Sequence, residues 1–419
     1  MRIAFSANPL PGHIVPMIPL MRAAAAAGHA VALVTGADAE SFVHAETGPG
    51  IEVLAAGPPT RQAMSHMARV TGASPMTDPR PAIIADYFAA RRLDESIDDA
   101  LSAARAWRPD IVVSESLDFV GPAVAAELGL PFVRHTLGPE RPAALRTALT
   151  DAAAHAAAAH GITLAPASAW IDGYPAFLEH PSAERPGRRI PVRPEPHSAP
   201  GGPSSRVALK RDPSRPTVLV TMGTVFTGQE LLDRLVQSIE AIGVPITLVY
   251  TSVNGVNARP LAVDSPVRVV DVPFQPLADL LVGVDAVVTV GGAGTVLGAL
   301  AAGIPLVIMP LGADHEVNAA RAVAASAAVR VSRPDEVGPA LLSLLADDGP
   351  RCAARITAAR ILELPSVTTA LDALAELVAG RSAISVEPPM VPRPGSAETT
   401  SGRAPRPSSP TAVAPNPTR

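Results

Sequence analysis

Hydrophobic positions along the first part of the chain fall into short apolar runs separated by stretches of helical spacing. Glycines such as Gly28 stand where the helical stretches end, as is typical of helix C-termini. Strand, helix and strand with short connections predict right-handed parallel units, and therefore an open α/β sheet. The predicted strands are residues 2–6, 30–35, 110–114 and 131–134.

The same pattern restarts after residue 216. Residues 217–221, 245–250, 267–272, 286–290 and 306–309 are predicted strands, with helices predicted at 231–242, 295–302 and 371–379. We therefore expect two similar open-sheet domains with a cleft between them, which is the usual place for a ligand. The predicted organisation is a first domain at 1–180, an interdomain linker at 181–216, a second domain at 217–380 and a disordered tail at 381–419.

Three further segments of the first domain have a distinct pattern. Residues 57–81 combine Pro, Gly, Met and polar residues without a period, which predicts a long loop. Residues 83–107 and the Ala-rich stretch 143–160 predict helices.

Composition excludes several classes of function. Of the 419 residues, 47% are hydrophobic and 17% charged, and with a net charge of −5 and no basic patch we expect no nucleic-acid partner. A single cysteine, Cys352, allows no internal disulfide and fits a reducing compartment. Prolines interrupt the apolar stretch 1–21, and glycines and Pro305 interrupt 286–313. We therefore expect no signal peptide and no membrane span, and predict a cytoplasmic protein.

The four residues that directly follow the predicted strand 286–290 form the glycine cluster Gly291-Gly-Ala-Gly294. A turn from a strand into a helix offers unpaired N–H groups and a positive dipole end to an anion. A phosphate loop would need Gly-Lys-Ser/Thr, but Val296 follows Thr295, and a dinucleotide fingerprint would need glycine where Leu297 stands. The alternative to anion binding is that these glycines only allow close packing of helix and strand.

The motifs "PGHIVPMIPL", "RPDIVVSESLDFVGP", "VTMGTVF", "VPFQPLADLL", "GGAGT" and "ALAAGIPLVIMP" occur in this order across both domains. Together they resemble family 1 glycosyltransferases of the GT-B fold, most closely the macrolide and enediyne enzymes that modify natural products. The resemblance implies two Rossmann-like parallel-sheet domains facing each other across a cleft.

The resemblance also assigns catalytic roles. A histidine in the first strand-to-helix turn is the general base of such enzymes, and His13 holds that position. The alternative is a histidine that only caps the helix. A carboxylate that follows a later strand, usually Asp, orients this base; Glu115 occupies the place here, with Asp118 as a rival.

On the donor side, the resemblance places the diphosphate on the N–H groups of Gly294 and Thr295. The donor-binding residues it implies are Thr224, Phe274, Thr289, Gly291, Gly292, Gly294, Thr295, Asp314 and His315. Phe274 would stack on the nucleobase, although an ordinary core phenylalanine is the alternative. Asp314 and His315 match an Asp-Gln pair that binds sugar hydroxyls, and Asn318 falls in the same segment.

Three positions depart from the family pattern. Thr289 stands where a histidine is common, Gly298 where a ribose-binding Glu is common, and His315 where Gln is expected. Each change removes a hydrogen bond or a charge, worth about 1–3 kcal/mol if nothing compensates for it. The donor sugar and the choice between UDP and TDP therefore stay open.

The resemblance implies an inverting glycosyltransferase that moves a sugar from a nucleotide sugar to a hydroxyl of a small hydrophobic acceptor. We predict acceptor contacts at Met64, Met67, Tyr87 and Phe88, although these residues could equally form helical core. No metal or other cofactor is expected. A nucleotide-sugar epimerase or hydrolase, or an inactive auxiliary protein of the same fold, are the alternatives, and the sequence predicts no oligomeric state.

Overall fold

Two parallel β-sheets organise the protein in a computed structural model. The structure describes residues 1–73, 79–185, 187–198, 212, 214–222, 229–252, 261, 264–273 and 275–384. The first sheet has seven strands in the order β3-β2-β1-β4-β5-β6-β7, and the second has six in the order β10-β9-β8-β11-β12-β13. The predicted α/β class with two open parallel sheets is confirmed.

Seven strands build the first sheet: β1 (Arg2–Ser6), β2 (Ala30–Thr35), β3 (Glu52–Ala55), β4 (Ile111–Glu115), β5 (Phe132–His135), β6 (Ala169–Asp172) and β7 (Arg189–Pro191). β4 is buried along its whole length, as a central parallel strand between two helical layers should be. β7 lies inside the segment 181–216 that was predicted as linker, so the first sheet extends beyond the predicted boundary at residue 180. Ile190 packs into the core because alternate residues of an edge strand still face the helices.

Six strands build the second sheet: β8 (Thr217–Thr221), β9 (Ile246–Ser252), β10 (Val267–Pro273), β11 (Ala286–Thr289), β12 (Leu306–Ile308) and β13 (Ala328–Arg330). β8 pairs with both β9 and β11, so it is central, as β1 is in the first sheet. In each sheet, the carboxyl ends of the central strands therefore lie at the same edge of that sheet, which is where ligands of open α/β sheets bind.

Helices cover both sheets. In the first half of the chain they are α1 (Pro11–Ile14), α2 (Ile18–Ala26), α3 (Glu40–Thr47), α4 (Thr60–Thr71), α5 (Pro81–Ala85), α6 (Arg92–Asp94), α7 (Ile97–Trp107), α8 (Val120–Glu127) and α9 (Ala143–Ala159). In the second half they are α10 (Gln229–Glu240), α11 (Leu277–Leu280), α12 (Ala293–Ala301), α13 (His315–Ala324), α14 (Val337–Ala346), α15 (Asp348–Leu362) and α16 (Thr368–Ile384). A π-helix spans Asp86–Arg91, and 3₁₀ turns span Val15–Met17, Ala37–Ala39, Ala176–Leu178 and Pro334–Glu336.

The prediction of a structureless loop over 57–81 is wrong for residues 60–71, which form α4. Met67 is fully buried, and Ala63 and Met64 pack against the same core. This 3.6-residue spacing stabilises a helix although most of the other residues of the segment are polar, so the tertiary contact overrides a weak local signal.

The last helix returns to the first sheet. In α16, Ala370, Leu371 and Leu374 are buried in the same hydrophobic core as Ile3 and Phe5 of β1. Within the described part of the chain, no helix is both long enough and apolar enough to cross a membrane. The predicted tail from residue 381 differs at its start, since α16 continues to Ile384, and the rest of it lies outside the described residues.

Candidate active site in the cleft

A histidine and a carboxylate meet at the carboxyl edge of the first sheet. His13 lies in α1, directly after the β1 turn, and Glu115 is the last residue of β4. The distance from His13 Nδ1 to Glu115 Oε1 is 2.8 Å. Glu115 is completely buried, whereas 15% of the His13 side chain is exposed. Among the described residues, the ring is paired with Glu115 and not with a backbone group of α1, which argues against the capping alternative, and Nδ1 is engaged so that Nε2 remains for chemistry.

The Glu115 carboxylate is held on more than one side. Asn8 Nδ2 donates to Glu115 Oε1 at 2.6 Å, and the Leu117 backbone N–H donates to Oε2. Burial alone would raise the pKa of Glu115, but the charge of His13 and these hydrogen bonds outweigh it and hold the pKa below its ordinary value. Glu115 therefore stays ionised and can stabilise a His13 imidazolium.

Asp118, the rival partner, is occupied elsewhere. Its Oδ2 accepts from Ser114 Oγ at 3.0 Å and from the Gly121 backbone N–H at 2.9 Å, at the start of α8. Burial, followed by the nearby charge of Glu115, raises the pKa of Asp118. The geometry assigns the contact with His13 to Glu115 and leaves Asp118 as a carboxylate at a helix start.

The raised pKa of Asp118 gives a testable effect of pH on stability. A folded-state pKa above the unfolded value means that the ionised carboxylate costs stability at neutral pH, and that this cost disappears as the pH falls through the raised pKa. We expect Asp118→Asn to raise the free energy of unfolding near pH 7.5, because the cost of the buried charge disappears while the amide oxygen can still accept from Ser114 and Gly121; only the 3.4 Å contact of the Val120 N–H with Oδ1 is lost. Thermal melts of both proteins across a pH series check whether the gain shrinks on acidification.

The control for this measurement is Asp151→Asn, which changes an exposed carboxylate of α9 and should alter stability little at any pH. A gain that is independent of pH, or a loss of stability at pH 7.5, would contradict the expected cost of the ionised Asp118.

Two arginines that the sequence reading missed surround the loop after β4. Arg134 Nη1 donates to the backbone carbonyl of Asp118 at 3.0 Å, and its guanidinium lies 4.7 Å from the centre of the Phe119 ring. Burial lowers the pKa of Arg134 to about 10. Arg141 donates from Nη2 to Ser116 Oγ at 2.9 Å. Arg134 lies in β5, the parallel neighbour of β4, and Arg141 lies in the loop that follows β5, so strand order was the signal that could have indicated them.

The predicted acceptor residues divide into two groups. Phe88 stacks on His13, with 5.3 Å between ring centres and 19° between ring planes. Tyr87 packs edge-on against Phe88, and Met64 packs against the same core. Met67 has no exposed surface, and Tyr87 and Phe88 are also buried in this core, with 3% and 8% of their surface exposed, as the core alternative predicts; Met64 is only partly buried.

The glycine turn of the second sheet joins β11 to α12. Gly291 has φ +102°, a conformation that only glycine adopts readily. A Cβ at this position would lie 2.9 Å from Ile308 Cγ2 and 3.0 Å from the His315 carbonyl oxygen. Gly291 is therefore required for packing. At Gly298, a Cβ would lie 2.7 Å from Leu277 Cδ2, so a larger side chain there would have to displace the end of the Leu277 side chain.

Packing does not explain the other two glycines of the cluster. No atom lies within 4 Å of a Cβ built at Gly292 or Gly294, so both border open space. The Thr295 N–H, predicted to bind phosphate, donates instead to the Gly292 carbonyl oxygen at 3.1 Å. Among the described residues, the N–H groups of Ala293 and Gly294 have no backbone acceptor. The available donors at the helix tip are therefore one residue earlier than predicted.

Other predicted donor residues lie beneath or beside this tip. Thr289 is buried, and its Oγ1 accepts from the Gly291 N–H at 3.3 Å, so it supports the turn. Asp314 precedes α13 and is half-buried, and Asn318 donates to its Oδ2 at 2.8 Å and to the Gly291 carbonyl at 2.9 Å. Thr224 and Phe274 lie outside the described residues.

His315 begins α13 and is buried beside Asp314. Burial lowers the pKa of His315 although Asp314 opposes the shift, so the ring is neutral at neutral pH. The Leu311 backbone N–H lies 3.4 Å from His315 Nδ1 and donates to it, which places the ring proton on Nε2. His315 therefore carries its ring proton on Nε2, at the position where a glutamine amide was expected.

The two halves of the site meet at the loop after β5. A Cβ built at Gly138 would lie 3.3 Å from Ala293 Cβ and 3.3 Å from Asp314 Oδ2. The first domain thus touches both the tip of α12 and the carboxylate that begins α13. The loop after β5 accordingly connects the carboxyl edge of the first sheet, where the His13–Glu115 pair lies, with the glycine turn of the second sheet.

Comparisons with known proteins agree with this arrangement. Residues 22–178 match the N-terminal domain model, and residues 242–377 the C-terminal domain model, of erythromycin biosynthesis protein CIII-like proteins. The elloramycin glycosyltransferase of Streptomyces olivaceus is 31% identical over 87% of this chain and 94% of its own length. The L-demethylnoviosyl transferase of Streptomyces niveus is 30% identical over 84% of this chain and 91% of its own.

A solved structure is also similar. The glycosyltransferase SnogD from Streptomyces nogalater has a TM-score of 0.72 and 29% identity, covering 90% of this chain and 99% of its own. Fold and site together define a glycosyltransferase of the GT-B class. Within that class, the chain belongs to the erythromycin biosynthesis protein CIII-like family of natural-product glycosyltransferases.

Proposed function

We propose that this glycosyltransferase moves a sugar from a nucleoside-diphosphate sugar to a hydroxyl of a hydrophobic natural-product acceptor, with inversion at the anomeric carbon. The observation that carries the proposal is the 2.8 Å contact between His13 Nδ1 and the ionised, buried Glu115. This contact leaves Nε2 as the proton-accepting atom at the cleft. The names of its relatives, an elloramycin glycosyltransferase and an L-demethylnoviosyl transferase, support an antibiotic-type acceptor.

The proposed step is a single displacement. His13 Nε2 takes the proton of the acceptor hydroxyl, and the hydroxyl oxygen forms a bond to the anomeric carbon. The bond from that carbon to the phosphate oxygen breaks, and the nucleoside diphosphate leaves with the electron pair. Glu115 stabilises the imidazolium that forms, and no step is assigned to a metal ion.

The leaving diphosphate would bind the tip of α12. Among the described residues, the N–H groups of Ala293 and Gly294 have no backbone acceptor, and Cβ atoms built at Gly292 and Gly294 would stand in open space, which suits an approaching phosphate oxygen. Preset amide dipoles stabilise charge as it develops without having to reorganise during the reaction. Asp314 and the Nε2–H of His315 lie next to this tip and are suited to hold sugar hydroxyls.

The test is a screen of TDP- and UDP-sugars against hydrophobic polyketide and macrolide alcohols, with products identified by mass spectrometry. Anomeric configuration, read by NMR, should be opposite to that of the donor. Retention would contradict the single displacement. Rapid epimerisation or hydrolysis of the donor without acceptor would instead support an epimerase or hydrolase, and no reaction or binding with any donor would support an auxiliary protein.

Gly294 allows a direct test of the diphosphate position. Gly294→Ala should stabilise the free protein by about 0.5–1 kcal/mol, because alanine is the better helix former and meets no atom within 4 Å. The same methyl group stands in the open space above the helix start, so we expect TDP or UDP to bind at least tenfold more weakly. Thermal melts and calorimetric titrations measure the two effects.

Gly380→Ala is the matched control, because Gly380 also lies in a helix with no atom within 4 Å of a Cβ. It should stabilise the protein without changing nucleotide binding. Unchanged nucleotide affinity in Gly294→Ala would exclude the tip of α12 as the diphosphate site.

A further inference from the structure

The charge of a diphosphate is not matched by the glycine turn itself. From Ala286 to Ala313 the chain carries no charged side chain, and the neutral His315 follows immediately after Asp314. The helix tip offers neutral amides and roughly half a positive charge. Since a nucleoside diphosphate brings at least two negative charges, a second source of positive charge at the cleft would strengthen binding considerably.

Arg141 lies in the loop that carries the first domain to that tip. Three residues before it, Gly138 is in contact distance of Ala293 and Asp314. The Arg141 side chain donates to Ser116 Oγ at 2.9 Å and lies 3.4 Å from the Ser116 carbonyl, directly after Glu115. Arg141 therefore spans the interval between the His13–Glu115 pair and the start of α13. Pro142 restricts the backbone of Arg141, which keeps the loop in place.

The Arg141 guanidinium has no carboxylate partner among the described residues. Within the described residues, no carboxylate oxygen lies within 4.0 Å of Arg141, and the neighbouring Glu140 is 3.2 Å from Arg189 instead. Burial lowers the pKa of Arg141, while the more distant charges of Glu115, Glu140 and Asp314 oppose that shift. A half-buried cation with a single serine as its partner is costly unless an anion joins it.

We propose that Arg141 binds the β-phosphate of the nucleoside-diphosphate donor from the first domain, opposite the amides of Ala293 and Gly294. A planar guanidinium suits this position, because it can hold Ser116 with one edge and a phosphate oxygen with the other. Binding of the diphosphate would thereby link both domains through charge as well as shape. This inference rests on the proposed function, since it names a further donor-binding residue of the same site.

Calorimetric titration of the full chain tests the assignment with TDP and thymidine, and with UDP and uridine. Arg141→Gln should weaken binding of the preferred nucleoside diphosphate at least tenfold and leave the nucleoside unchanged. Arg141→Lys keeps the charge but not the forked guanidinium, so its affinity for the nucleoside diphosphate should lie between those of Arg141→Gln and the unchanged protein. Arg105→Gln is the matched control, because Arg105 pairs with Glu127 on the exposed surface of the same domain.

Diphosphate affinity of Arg141→Gln within twofold of the unchanged protein would overturn the inference. Equal losses for nucleoside and diphosphate would also overturn it, because they indicate a structural role. If Arg141→Gln fails to fold, Arg141→Lys still decides, since unchanged diphosphate affinity in that variant contradicts a contact that needs one guanidinium edge on Ser116 and the other on the phosphate. If the unchanged protein transfers sugar and Arg141→Gln binds the nucleoside diphosphate normally, only this inference is refuted. If the unchanged protein binds no nucleotide at all, the proposed function is refuted as well.

Discussion

His13→Ala is expected to reduce sugar transfer by about 10²–10⁴-fold, the range of a general base, and to leave binding of the nucleoside diphosphate within twofold. The ring nitrogen that would accept the proton disappears, while the glycine turn of the second sheet is untouched. Initial rates with saturating donor and acceptor measure the first effect, and calorimetric titration with TDP or UDP measures the second. A loss confined to the turnover number separates the base from a binding residue.

The matched control is His160→Ala. His160 also pairs with a carboxylate, with 3.2 Å between its Nε2 and Asp94 Oδ1, but this pair lies at the surface. Its removal should leave both rate and affinity unchanged. Turnover of His13→Ala close to that of the unchanged protein would refute the assignment of the base, whatever the control shows.

Gly291→Ala is expected to lower the free energy of unfolding by about 3 kcal/mol. A non-glycine residue in left-handed conformation costs about 1–2 kcal/mol, and φ +102° is less favourable than the usual left-handed well. The added methyl group would also press on Ile308 Cγ2 at 2.9 Å and on the His315 carbonyl at 3.0 Å, and overpacking of this kind costs about 1–3 kcal/mol. Urea unfolding of both proteins measures the difference.

Gly292→Ala, the neighbouring substitution, serves as the comparison. Gly292 has φ −61° and no atom within 4 Å of a Cβ, so its stability should change by less than about 0.5 kcal/mol. If both variants were equally stable, the strain and crowding assigned to Gly291 would be absent in solution.

The sequence predicts the sheets well because their signals are local. β1, β4, β8 and β11 are short, almost entirely apolar and buried on both faces, which is what a central parallel strand requires. The weaker strands β3 and β7 escaped prediction, because edge strands carry polar residues such as Glu52 and Arg189. Helix α4 escaped for a related reason, since its stability depends on the burial of Met67 against a distant core.

The site residues also divide into those with a local sequence signal and those whose role depends on tertiary contacts. The resemblance indicates His13 and Glu115 because each lies in a motif of the sequence, one in the turn after β1 and the other at the end of β4, and their contact follows from the adjacency of β1 and β4. Asn8 and Arg141 were missed, because their importance depends on what lies opposite them: a buried carboxylate for Asn8, and the other domain for Arg141. The sequence also does not predict which N–H groups at the tip of α12 lack a backbone acceptor among the described residues. The carbonyl to which the Thr295 N–H donates is a detail of backbone geometry that residue types do not encode.

The return of α16 to the first sheet affects how hybrid enzymes should be assembled from this family. Because Leu371 and Leu374 belong to the core around Ile3 and Phe5, a single splice in the segment between the sheets would join a foreign final helix to the first domain. Exchange of the second domain therefore requires a second junction, between α15 and α16, so that each domain keeps its own complement of apolar side chains.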